Sequence, residues 1–206
     1  MPQNLREALV DEVRDMYNAE KQIVKALPKI IKAVSADELR DALESHLEET
    51  HGQVSRLERV FEMLDEKPRG KHCAGMAGIL EEGSDKLEED AEPAVMDASL
   101  IAASQRVEHY EITAYGTMIA WAEALDLTDV AQLLEESLAE EKAADEKLSA
   151  IAESGINEAA TAGESDDMEE DDEEEEETEA MPSRSAAKPQ PAAASARSAR
   201  ARGGRR

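Results

Sequence analysis

The chain has 206 residues, enough for one ordinary domain of about 150 residues and a tail. Its 49 acidic and 23 basic residues give a formal net charge of -26, which disfavours simple electrostatic docking on nucleic acid or an anionic membrane. Aromatic residues make up only 2%, and Ala, Leu, Glu, Lys and Met dominate, so the composition predicts an all-α protein.

The first predicted helix follows an apolar stripe that runs in three- and four-residue steps from Leu9 to Ile31. This spacing keeps the apolar side chains on one face and predicts a helix over about 5–34. Directly after it, Ser35 and Glu38 have the spacing of a capping box, in which each side chain accepts from the other residue's backbone amide. A second helix is therefore predicted to begin there.

A second apolar stripe, from Leu39 to Leu64, predicts a helix that ends near residue 67. Its connection to the first helix is short, so the two helices are expected to pack as an antiparallel pair. Residues 68–92 then form a longer crossover, whose apolar residues predict one short amphipathic helix interrupted by glycines.

The second half of the domain repeats this arrangement. Pro93 suits the first turn of a third helix, which the apolar pattern extends to about residue 124. Capping side chains at 126–129 precede a fourth helix that ends near residue 154. Two antiparallel hairpins joined by one long crossover predict an all-α, ferritin-like antiparallel four-helix bundle over residues 1–155, with a short extra helix in the crossover.

Residues 156–206 show no repeating apolar stripe and are predicted to be a disordered tail. An acidic run at 164–179 repels itself, whereas the segment 184–206 is basic, with Arg spread through Ala, Ser, Pro and Gly. Because the rest of the chain is so acidic, any contact with nucleic acid is expected only through this basic segment.

The location is predicted from the cysteine content and the first residues. Cys73 is the single cysteine and cannot form an internal disulfide. The first residues show neither an apolar secretory core nor a run long enough to span a bilayer. We therefore expect a cytoplasmic protein without a membrane partner.

Three acidic residues lie where apolar side chains are expected. Glu20, Glu108 and Glu141 each fall in the middle of the apolar face of a different predicted helix, and they are predicted to meet in one layer. A buried, unpaired carboxylate costs several kcal/mol, so each needs a partner. A Lys, an Arg or Gln105 is one kind of partner, and Tyr115 is a candidate donor close to the same layer.

Divalent cations are the other kind of partner for such a layer, because they prefer oxygen ligands. In di-iron and di-manganese bundles, two helices each supply a Glu and two others each supply a Glu-x-x-His pair. The second predicted helix offers Glu49 with Gln53 along the edge of its apolar stripe, and this pair is the preferred one. Glu48 and His51 match Glu-x-x-His literally but lie farther from the stripe, so they are the rival pair.

The third and fourth predicted helices offer further candidate ligands. Glu111, three residues after Glu108, is either a further carboxylate ligand or a helix-surface partner for neighbouring cations. On the fourth helix, Ala144 stands where a His would complete a pair with Glu141, and Asp145 follows at the flank of the stripe. Glu111 and Asp145 therefore join the predicted metal ligands.

Four segments in this order resemble the YciF-like family of ferritin-like bacterial stress proteins. They are residues 17–22, 46–53, 105–112 and 140–145, and the resemblance covers about residues 5–154. It implies a ferritin-like or rubrerythrin-like bundle, a homodimer, and a dinuclear metal site linked to oxidative or general stress. The missing second Glu-x-x-His pair departs from the rubrerythrin pattern.

The leading hypothesis is a stress-linked protein with two iron ions, or two manganese ions, that reacts with hydrogen peroxide or dioxygen or handles iron. Glu108 and one carboxylate of the second helix would bridge the ions, and the remaining ligands would be Glu20, Glu49, Gln53 and Glu141. The alternative is a non-catalytic dimeric bundle that binds partners through its surface and its charged tail.

Overall fold

All secondary structure in the described part of the chain is helical. The structure is a computed structural model that describes residues 2–162, and over that range it contains no strand. The five longer helices are α1 (Leu5–Ala33), α2 (Asp37–Met63), α3 (Ala74–Lys86), α4 (Pro93–Ala124) and α5 (Thr128–Ile151). The prediction of an all-α protein is confirmed.

The helix bounds follow the sequence pattern closely, with one clear difference. Helix α2 ends at Met63, although its stripe predicts an end near residue 67. Asp65 explains the earlier end, because its φ of 56° is left-handed and cannot continue a right-handed helix.

Helices α1, α2, α4 and α5 are the four long helices, and each packs against two of the others. Helix α1 contacts α2 and α4, while α5 contacts α4 and α2; the shorter α3 packs against α4 and α1. The largest fully buried apolar side chains lie among these helices and include Leu9, Met16, Phe61 and Met118. Burial of each contributes roughly 1.5–3 kcal/mol, which fixes the faces that the four helices turn inward.

The turn between α1 and α2 is held in place by hydrogen bonds to a residue of α4. Asp97, which is buried, accepts hydrogen bonds from the backbone N–H of Ser35 and of Ala36, both at 2.9 Å. It also accepts from the hydroxyl of Ser35 at 2.6 Å. The predicted capping box is therefore wrong, because the Ser35 side chain bonds to Asp97 and not to the amide of Glu38.

The start of α3 is fixed by Cys73. The backbone N–H of Cys73 donates to Asn18 at 2.8 Å, and its carbonyl accepts from Gln22 at 3.1 Å. Its sulfur lies 3.0 Å from the hydroxyl of Tyr110 and accepts from the amide of Met76, which caps the helix. Burial is the main cause that raises the pKa of this thiol, so it stays protonated.

The chain kinks after α5. Gly155, with a φ of 154°, is non-helical and interrupts the helical backbone, and the short helix α6 (Asn157–Thr161) follows. The predicted acidic run at 164–179 and basic segment at 184–206 lie outside the described residues. No helix within residues 2–162 combines the length and the apolar character needed to cross a membrane.

Candidate metal centre

Three carboxylates and one imidazole converge inside the protein. Glu108 and Glu111 come from α4, Glu141 from α5 and His46 from α2. One ligand-type atom of each lies within 4.8 Å of those of the others, and all four side chains are buried. The prediction that inward carboxylates of different helices meet is confirmed for Glu108 and Glu141. We call these four residues the carboxylate cluster.

Helical spacing explains why these side chains share one region. Glu108 and Glu111 are three residues apart, so they lie on the same face of α4. His46 lies three residues after the buried Leu43 and four before the buried Thr50, on the inward face of α2. Its Nε2 atom is 3.4 Å from Oε1 of Glu108, so the imidazole faces the carboxylates directly.

Glu20 lies beside the carboxylate cluster and is held by a tyrosine. The hydroxyl of Tyr115 donates to Oε1 of Glu20, and both side chains are completely buried. Burial, followed by the charge of Glu141, raises the pKa of Glu20 well above its ordinary value. The third predicted inward carboxylate is therefore inward, and its neighbour Tyr115 is the donor expected from the sequence.

Glu141 is held by Gln53, which also bonds to Glu140, the partner of Arg56. The side-chain amide of Gln53 donates to Glu141 and, at 3.0 Å, to Glu140. Arg56 donates to both oxygens of Glu140, at 2.9 and 2.8 Å, and to the hydroxyl of Ser137 at 2.7 Å. In this orientation Gln53 fixes the position of Glu141 through its N–H group.

Several buried oxygens in this region lack a fixed N–H or O–H donor from the described residues. They are one oxygen of Glu20, one of Glu108, both of Glu111, one of Glu141 and the side-chain carbonyl oxygen of Gln53. Burial, with the neighbouring carboxylates next, raises the pKa of Glu108 and of Glu111 well above the ordinary value. The group is thus poised to hold either protons or cations, and its oxygen and imidazole donors suit a first-row divalent metal.

The other predicted ligands lie at the border of the cluster. The side chain of Glu49 is 41% exposed, and its Oε2 atom is 3.7 Å from Nδ1 of His46. Asp145 is half-buried; it accepts from Gln105 at 3.1 Å and faces Nε2 of His109 at 3.2 Å. Neither carboxylate belongs to the group whose atoms lie within 4.8 Å.

The residue of α2 that reaches the carboxylates is one that the sequence pattern did not single out as a ligand. Glu48 and His51, the rival pair, are both exposed, whereas His46 is only 5% exposed. His46, Glu49 and Gln53 share one edge of the apolar stripe, so helical spacing alone does not rank them. No signal in the sequence separates His46 from these neighbours, because the rotation of α2 about its axis decides which of them points inward.

The chain matches known proteins along nearly all of residues 2–162, the part that the structure describes. Residues 4–161 match the family described as domain of unknown function DUF892. Protein YciF of Escherichia coli K12 is 42% identical over 157 residues, which are 76% of this chain and 95% of that protein. The match thus extends over all six α-helices.

Two solved structures share the fold. The crystal structure of the E. coli stress protein YciF aligns with a TM-score of 0.73 at 41% identity, over 76% of this chain and 99% of that one. The YcfI protein of Rhodopseudomonas palustris aligns with a TM-score of 0.70 at 46% identity, over 71% of this chain and 94% of that one. Both alignments span nearly the full length of the matched protein.

Proposed function

Since the chain belongs to the DUF892 family of YciF-like proteins, we propose that it is a stress-associated protein that binds a dinuclear iron or manganese centre within a ferritin-like four-helix bundle. The observation that supports this most is the carboxylate cluster. In it, buried carboxylate oxygens and both imidazole nitrogens lack a hydrogen-bond partner among the described residues. The link to stress rests on the E. coli relative, which is described as a stress protein.

Charge balance favours two divalent ions. Together with Glu20, the cluster places four carboxylates in the interior, and two divalent cations would neutralise their four negative charges. Protons would also neutralise them, but one proton joins at most two oxygens, while a divalent cation binds several oxygens at once. Removal of such charges from water without either compensation costs several kcal/mol per group.

The ligand set differs from the one that the sequence pattern favours. We propose Glu20, Glu108, Glu111, Glu141 and His46 as the ligands of the two ions, because the last four converge and the fully buried Glu20 lies beside Glu111 and Glu141. In this proposal Gln53 orients Glu141, and Glu49 and Asp145 stand outside the ligand set. A bound dinuclear iron centre supplies the electrons for a reaction with peroxide or dioxygen.

The chain itself contributes orientation and a dry surrounding. Tyr115 holds one oxygen of Glu20, which leaves the other oxygen free for an ion. A narrow crevice beside His46 and Glu108 is lined by apolar side chains, among them Leu27 and Val107. These side chains limit the access of water, which strengthens the interaction between the carboxylates and a cation.

The experiment is a measurement of bound metal in the purified full chain after incubation with Fe²⁺ or with Mn²⁺, in the presence of a weak chelator that strips surface ions. We expect two ions per chain, and a rise in the unfolding temperature at saturating metal. For the iron form, peroxide consumption above that of free iron would support the reaction with oxidants. A chain without stoichiometric metal would overturn the proposal.

A pair of variants separates this function from that of a non-catalytic bundle. Glu108→Leu should lose both the ions and the stabilisation that they give, whereas Glu62→Leu, at an exposed position of α2, should keep both. If the protein were only a scaffold, Glu108→Leu would raise its stability with and without metal, because an apolar group would replace a buried charge.

Assembly and location stay predictions. The family resemblance implies a homodimer, which light scattering on the purified chain would test. A cytoplasmic location fits the single buried cysteine, and fractionation of cells that produce the chain would test it.

A further inference from the structure

A cavity of about 220 Å³ lies beside the carboxylate cluster, between α2 and α5. Its rim includes the exposed residues Asp41 and Lys147 and the half-exposed Glu49, and its inner wall includes His46 and Glu108. The cavity therefore connects the surface of the protein with two members of the carboxylate cluster.

The potential ligand atoms along this cavity lead from a partly exposed carboxylate to a buried one. Oε2 of the half-exposed Glu49 is 3.7 Å from Nδ1 of His46, and Nε2 of the same ring is 3.4 Å from Oε1 of Glu108. Both ring nitrogens of the buried His46 and one oxygen of the buried Glu108 lack a hydrogen-bond partner among the described residues. The cavity thus ends at unsatisfied polar atoms rather than at a sealed apolar wall.

We propose that this cavity is the portal through which a hydrated divalent cation reaches the carboxylate cluster, and that Glu49 is the residue that captures the ion at the surface. This inference rests on the proposed metal function and adds the route by which the centre fills. A cation with a first shell of about six waters, at about 30 Å³ each, fits the cavity volume. Water ligands are then replaced in turn by Glu49, His46 and Glu108.

The charges on the rim favour a cation as the occupant. Asp41 and Glu49 are acidic residues at the rim, and Lys147 is the one Lys or Arg among the lining residues. A cavity with low-dielectric walls and an excess of negative charge concentrates cations and speeds their association.

A second groove, which is more apolar than this cavity, has the opposite character. It has a volume of about 430 Å³ and lies where α1, α3 and α4 meet. Its charged lining residues are Lys25, Lys29 and Glu81, so lysines outnumber acidic groups there. This groove repels cations, which leaves the cavity beside Glu49 as the better route.

The test compares the rate of cation uptake in two neighbouring single variants of the full chain. Glu49→Gln removes the charge at the rim of the portal, and Glu48→Gln removes an exposed charge one residue away that does not line the cavity. Metal-free protein is mixed with Co²⁺ and a competing metal-indicator dye in a stopped-flow instrument. Weak binding by the acidic run 164–179 is the same in all chains and drops out of the comparison.

We expect the association rate to fall about tenfold in Glu49→Gln and to change little in Glu48→Gln, with the same number of ions bound at the end. Lys147→Gln should increase the rate, since it removes the repelling charge at the rim. Added salt should slow the wild-type chain more than Glu49→Gln, because salt screens the capture charge.

An unchanged association rate in Glu49→Gln would overturn the portal. If dissociation were faster at the same time, Glu49 would merely orient His46. A failure of the proposed function is distinguishable, because wild-type chain would then bind no Co²⁺ stoichiometrically at equilibrium, whatever the rates.

Discussion

The hydroxyl of Tyr115 on α4 donates a hydrogen bond to Glu20 on α1, and both side chains are fully buried. The bond joins two helices at a place that water does not reach, beside carboxyl groups that repel one another when ionised. Burial, with the charge of Glu20 next, raises the pKa of Tyr115 well above its ordinary value, so the hydroxyl keeps its proton and stays a donor.

The first prediction concerns loss of this donor. Tyr115→Phe should lower the free energy of unfolding of the metal-free protein by about 1–3 kcal/mol, because a buried oxygen of Glu20 loses its partner. Urea unfolding in the presence of a chelator measures the change. Tyr17→Phe is the matched control: Tyr17 donates to the exposed Glu58, which water can solvate, so its loss should be smaller. Equal losses in the two variants would contradict the prediction.

The second prediction is a pH dependence of the metal-free protein. The pKa values of Glu20, Glu108 and Glu111 are raised above the ordinary 4.5, by burial first and by neighbouring carboxyl groups next. Above that pH the folded chain holds protons that the unfolded chain has released. The free energy of unfolding should therefore fall as the pH rises from about 4.5, by about 1.4 kcal/mol per pH unit for each extra proton that the folded chain holds. The fall should level off once the cluster is ionised.

Urea unfolding between pH 5 and pH 8 in a chelator measures this slope. Glu111→Gln removes one of the titrating groups and leaves the distant surface charges in place, so the difference between its slope and that of the wild type isolates the cluster. A wild-type slope equal to that of Glu111→Gln, or a stability that rises with pH, would contradict the prediction.

The third prediction concerns the donors behind Glu141. Arg56→Lys keeps the charge but removes the paired hydrogen bonds to Glu140, which also accepts from Gln53. Metal affinity should fall about tenfold, since outer groups that orient a ligand typically contribute 10- to 100-fold. Calorimetric titration with Mn²⁺ measures it. Arg14→Lys, in the more exposed pair with Glu66, should leave the affinity unchanged and cost under about 1 kcal/mol of stability.

The fourth prediction concerns the turn between α1 and α2. Asp97→Ala removes the acceptor of three hydrogen bonds and should lower the free energy of unfolding by about 2–4 kcal/mol. Ser35→Ala removes one of the three and should cost about 1 kcal/mol. Thermal and urea unfolding measure both. Metal stoichiometry should stay the same in both variants, and a loss of metal in Asp97→Ala at a pH and temperature where it is folded would contradict this assignment.

The helices were predictable because the apolar pattern that specifies each helix lies within its own stretch of sequence. Apolar residues at three- and four-residue steps place the ends of α1 and α4 within a residue of the structure. The failure at Ser35 has the opposite cause: its real partner, Asp97, is 62 positions away, and no neighbouring residue signals that contact.

The carboxylate cluster was predictable where a charge breaks an apolar stripe. Glu20, Glu108 and Glu141 stand in the middle of such stripes, and all three are buried. On α2 the polar residues lie along the edge of the stripe instead, where the rotation of the helix about its axis decides which side chain points inward. That rotation comes from the packing of α2 against α1 and α5, so helical spacing could not separate His46 from Glu49.

The burial of Cys73 makes its thiol a natural probe of local opening in the protein. Its thiol is buried and contacts Tyr110 of α4, its backbone N–H donates to Asn18 of α1, and it is the only sulfhydryl in the sequence. A thiol-reactive dye can therefore label the native protein only when the beginning of α3 detaches from these neighbours. The labelling rate measures how often the crossover opens, with no engineered tag and no second site to confuse the signal.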